Sequence, residues 1–169
     1  MKKIFTFLGG VCLACAVGIF IFMCVLICMN PYNTHNVLLQ EEINKLNQTQ
    51  EFEFNTVVPF DWDKMYVFNS GVEKEFIEDT IGVSNSLIKD VPVEDNTTCV
   101  IFVKDDKITA YPCGSLETIG YKINIPMVNE KYGVIDYDEH LIFYAENTEG
   151  IVELTEFTLY LKNFYEKGE

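Results

Sequence analysis

Arginine is absent from this chain: its 12 basic residues are all lysines, set against 26 aspartates and glutamates. Nucleic-acid recognition needs fixed positive charge to displace counterions from phosphates, and a formal charge of −14 excludes it; docking on an anionic bilayer surface is excluded on the same ground. Histidine is nearly absent, with only His35 and His140, so a mechanism needing an imidazole base would rest on His140, because His35 lies beside the apolar N-terminus. No serine elbow, glycine-rich phosphate loop, Cys/His zinc spacing or HExxH helix occurs, and no internal repeat. No reaction and no cofactor is therefore implied.

Charge is missing altogether from residues 4–29, IFTFLGGVCLACAVGIFIFMCVLICM. Roughly 20 apolar residues cross a bilayer as a helix, so residues 1–29 read as a Lys-Lys start followed by a transmembrane anchor in contact with lipid. Two alternatives use the small residues in its middle. Ala14-Cys15-Ala16 fits a signal-peptidase site, and Cys15 after Ala14 has the look of a lipidated cysteine. Against both, the apolar run continues to Met29, and cleavage would leave an exposed apolar N-terminus. Lys2 and Lys3 precede the span and no lysine lies in residues 30–40, which places the N-terminus in the cytoplasm and the bulk outside: a single-pass plasma-membrane protein with an extracytoplasmic domain.

The remaining ~140 residues have the size of one domain. With 13 Phe, 9 Tyr and one Trp in the chain, they have ample material for a core. Residues 30–50 read as a connector with a short helix, a stalk packed less firmly than the domain at 51–169. Setting Lys2 and Lys3 aside, 10 lysines face 26 acidic residues in this part, a net of −16. Such acidity first of all describes a well-solvated surface, and its functional reading is a basic protein partner or a divalent cation.

Four of the six cysteines fall in the apolar segment, where they act as small apolar residues. Cys99 and Cys113 flank TTCVIFVKDDKITAYPCG, whose β-rich runs at 99–103 and 108–111 surround a polar turn. A hairpin pivoting near Asp106 puts Cys99 opposite Cys113, close enough for a disulfide in an oxidising compartment. A two-residue turn at Asp105-Asp106 puts Cys99 opposite Pro112 instead and leaves two buried thiols.

Elsewhere, Ser70 and Glu73 have capping-box spacing and Val72, Phe76, Ile77 and Ile81 recur at helical intervals up to Gly82, which predicts a helix over 71–81. Strand patterns recur at 64–68, 121–125, 132–135, 140–145 and 151–160, the last either strand throughout or strand running into helix. The expected fold class is α+β: an antiparallel sheet with one packed helix behind a single transmembrane span.

Two acidic clusters are the candidate sites. Asp61-Trp62-Asp63 precedes a strand, and Trp62 reads either as an aromatic anchor rimmed by carboxylates or as a core residue. Asp136, Asp138, Glu139 and His140 crowd one turn whose oxygens suit calcium, although neither cluster has an EF-hand pattern and aspartate favours turns in any case. The run FDWDKMYVFNSGVEKEFIEDTIG resembles a segment of small membrane-anchored or lipoprotein-like proteins of Gram-positive bacteria, which implies a bacterial surface location and carries no activity. The expected function is a non-catalytic, membrane-tethered module that binds a protein, immunity-like, inhibitor-like or an accessory subunit. The alternatives are a surface hydrolase and a calcium sensor.

Overall fold

A computed structural model describes residues 31–46 and 49–166. The apolar segment at 4–29 and its four cysteines lie outside them; among the described residues no helix is long and apolar enough to cross a membrane. The fold is α+β. In chain order it runs α1 (Pro31–Asn44), β1 (Gln50–Glu53), β2 (Lys64–Phe68), α2 (Lys74–Ile81), β3 (Thr97–Lys104), β4 (Lys107–Ala110), β5 (Cys113–Ser115), α3 (Leu116–Ile119), β6 (Tyr121–Asn124), β7 (Tyr132–Asp136), β8 (Ile142–Thr148), β9 (Ile151–Glu156) and α4 (Phe157–Glu166).

The strands form two sheets rather than the single expected one. One has the order β1-β8-β9-β6; the other runs β4-β3-β2-β7, with β5 also on β3. All pairings are antiparallel except β6 with β9, which is parallel. β3 explains the layering. Its sequence TTCVIFVK is apolar at successive positions because both of its faces are covered. Val100 and Phe102 face the other sheet, joining Met65, Val67, Phe143 and Leu154, while Cys99, Ile101 and Val103 meet Ile77 and Ile81 of α2. Strict alternation belongs to β9, where Val152, Leu154 and Glu156 turn inward.

Two expectations are corrected, and one open alternative is decided. The helix expected from residue 71 starts at Lys74, and the Ser70/Glu73 capping box does not form. Gly71 and Val72 are engaged elsewhere: Gly71 donates to the Val91 carbonyl at 3.0 Å, and the Val72 carbonyl accepts from Val91 at 2.8 Å. Asp90 caps the helix instead, accepting the Lys74 N–H at 2.8 Å. Gly82 ends it in the left-handed conformation, φ +72°, as the sequence predicts. The presumed stalk is core: Leu39 and Ile43, one helical turn apart on α1, are fully buried. Its polar residues are tied as well. His35 Nδ1 donates to the Thr109 carbonyl at 2.8 Å, Asn36 makes two bonds with the Tyr111 backbone, and Gln40 Nε2 donates to Ile119 at 2.7 Å. Finally, residues 151–160 are strand as far as Glu156, whose buried carboxylate accepts the Thr158 and Leu159 N–H groups and starts α4.

Cys99 and Cys113 lie opposite each other at disulfide distance. The route differs from a simple pivot. Asp105 and Asp106 form a two-residue turn with φ 48° and 57°, the primed type that suits hairpins. A bulge at Thr109, between the pairs Val103↔Ile108 and Phe102↔Ala110, then adds the one residue that brings Cys113 into register.

Candidate functional site

β2 is the central strand between β3 and β7, and Lys64 at its start lies opposite both Val103 and Asp136. Antiparallel pairing therefore gathers residues 61–63, residue 104 and residues 136–138 at one end of the sheet. The two acidic clusters, far apart in sequence, meet there. They line a cleft of about 890 Å³ with Asn55, Val58, Pro59, Phe60 and Lys104.

Asp63 is the fixed point of this cleft. Its N–H donates to Val103 at 2.7 Å and its carbonyl accepts from Tyr137 at 2.8 Å. Its carboxylate takes Lys104 Nζ at 2.5 Å and the Asp105 N–H at 2.9 Å. The hydrogen bond from Lys104, then that from Asp105, holds the Asp63 carboxyl below the ordinary carboxylate value, and Asp63 in turn raises Lys104. Lys104, the cation lining the cleft, is thus committed. Asp136 shares Lys64 at 3.4 Å, while Asp61 and Asp138 have no ion pair among the described residues. A recess lined by four aspartates and one engaged lysine has a negative potential that draws cations.

Trp62 is not an exposed anchor. It is 3 % exposed and packs edge-on against Phe54, Phe102 and Tyr137, with centroids 6.0, 5.7 and 5.3 Å away. Its indole Nε1 is buried without a hydrogen-bond acceptor. Tyr137, which sequence reasoning passed over, is 41 % exposed at the rim, and Asn55 donates to its carbonyl at 2.7 Å. Its position inside an acidic turn was the available signal.

The turn at 136–140 does not assemble the proposed calcium ligands. Glu139 lines a different depression, beside Pro126 and Leu141, and His140 turns away to Glu53 at 2.6 Å. Among the described residues, no three His, Cys, Asp or Glu side chains are grouped to hold a metal ion. No family model matches the chain, and no curated protein and no solved structure matches it either.

Proposed function

We propose that this chain is a non-catalytic binding module, tethered to a membrane by residues 4–29 with its domain outside the cytoplasm, that takes a basic protein as partner. One observation carries the reading: four aspartates from two distant segments converge on a single cleft whose lysine is already engaged. Such a cleft complements a cationic side chain, and complementary charge speeds and orients association.

The hydrolase reading also required the acidic residues to meet in one cleft, and they do. Its chemistry finds less support there. Among the described residues the cleft is lined by no His, Cys or Ser, and Asp63 is shifted downward, away from what a general acid at neutral pH needs.

The test is affinity capture with the full-length chain in detergent micelles, at low and high salt, with the double variant Asp61→Asn/Asp138→Asn in parallel. The expected result is a basic protein retained at low salt, released at high salt and lost with the variant. Equal retention by both chains would remove the cleft from the function.

A further inference from the structure

We infer that the cleft seats a lysine or arginine side chain presented on a peptide, with a backbone carbonyl of that peptide accepting the Trp62 indole N–H. The inference rests on the reading of the chain as a binder of basic protein, and it specifies what in the partner is recognised. Its independent support is the orphan donor. Trp62 lines the cleft, is almost wholly buried, and leaves Nε1 without an acceptor. Buried N–H groups are nearly always paired, so the unmatched indole N–H of a residue that lines the cleft is a donor still open to an acceptor brought there.

The carboxylates and the indole together restrict the ligand. Asp61 and Asp138 call for a cation; an indole only donates and calls for an oxygen. Polyamines and metal ions answer the first requirement and not the second. Neutral sugars answer the second and not the first. A basic peptide supplies both within one residue. Tyr137 is the ring a ligand must pass in this proposal: it lies edge-on to the indole at 5.3 Å, and since its backbone is held at both N–H and carbonyl, only its side chain is left to give way.

Trp62 is the only tryptophan, which gives the full-length chain a single indole N–H signal and a single indole fluorophore. The probes are an N-acetylated, C-amidated trilysine peptide and spermidine, which carry equal positive charge. In micelles, trilysine is expected to move the indole N–H resonance downfield and to bind at least tenfold more tightly than spermidine, which leaves the resonance in place. Trp62→Phe should bring trilysine down to the affinity of spermidine, whereas Asp61→Asn/Asp138→Asn should weaken both probes alike. Tyr137→Ala, which leaves the indole intact, should speed trilysine association and serves if the Trp62 variant folds poorly. If both probes bind equally and the indole signal does not move, the carbonyl contact is wrong while the acidic cleft stands. If the aspartate variant changes neither probe, both readings fall.

Discussion

Tyr137 donates its backbone N–H to the carbonyl of Asp63 at 2.8 Å, one step beyond the last paired residues of β2 and β7. This bond joins the two acidic segments, so whatever alters the Asp63 corner alters the whole cleft.

Lys104→Met tests that corner. The Asp63 carboxyl is held below its ordinary value of 3.8, so its stabilising contribution is complete above that pH and is lost as the pH falls through the lowered folded value. Denaturant melts of the full-length chain at pH 5 should show the variant less stable than the parent. That difference should vanish as the pH is taken well below 3.8.

Tyr121→Phe should stabilise. The Tyr121 hydroxyl is fully buried with no partner, and burial pushes its pKa above the ordinary 10.0. Removing an unsatisfied buried hydroxyl should add about 1–3 kcal/mol in urea unfolding at neutral pH. Because burial penalises the ionised phenol, the folded state also loses ground above pH 10.0, where the unfolded chain's Tyr121 ionises freely, an alkaline loss to which Tyr121 no longer contributes in the variant.

Reduction, or Cys99→Ser with Cys113→Ser, opens a loop with a sequence separation of 14. The chain-entropy estimate for a loop of that length is about 3 kcal/mol, which a shift in denaturation midpoint with and without reductant would measure.

Leu39→Ala should destabilise by about 2–5 kcal/mol, because the side chain is fully buried in the core and its truncation leaves a cavity. A stalk residue would show no effect in the same melt. Gly133→Ala should also destabilise, by about 1–3 kcal/mol, since an added Cβ would come within 2.6 Å of the Pro126 backbone oxygen.

Much of the domain was legible locally. The continuous apolar run of β3, the polar stretch that turns it back and the Gly82 cap each announce themselves within a few residues, whereas the two-residue turn and its bulge do not. What the sequence concealed depends on distant partners. Nothing near Ser70 shows that Gly71 and Val72 will bond to Val91. α1 looked like a polar stalk because only Leu39 and Ile43 turn inward among Asn, Gln and Glu. The two acidic clusters read as separate turns until the β2–β7 pairing makes them neighbours, and Tyr137 gains its place against Trp62 only through that pairing.

The anchoring of α1 has a mechanical consequence. Its N-terminal half is bolted to the β4 edge through His35 and Asn36, and its C-terminal half is sunk in the core at Ile43. Tension applied at residue 31 would therefore bear on these contacts directly. The load enters the β3–β4 hairpin and reaches its tip, where the Asp105 N–H holds the Asp63 carboxylate. The helix and the cleft are thus joined through one hairpin, at opposite ends of a continuous run of contacts.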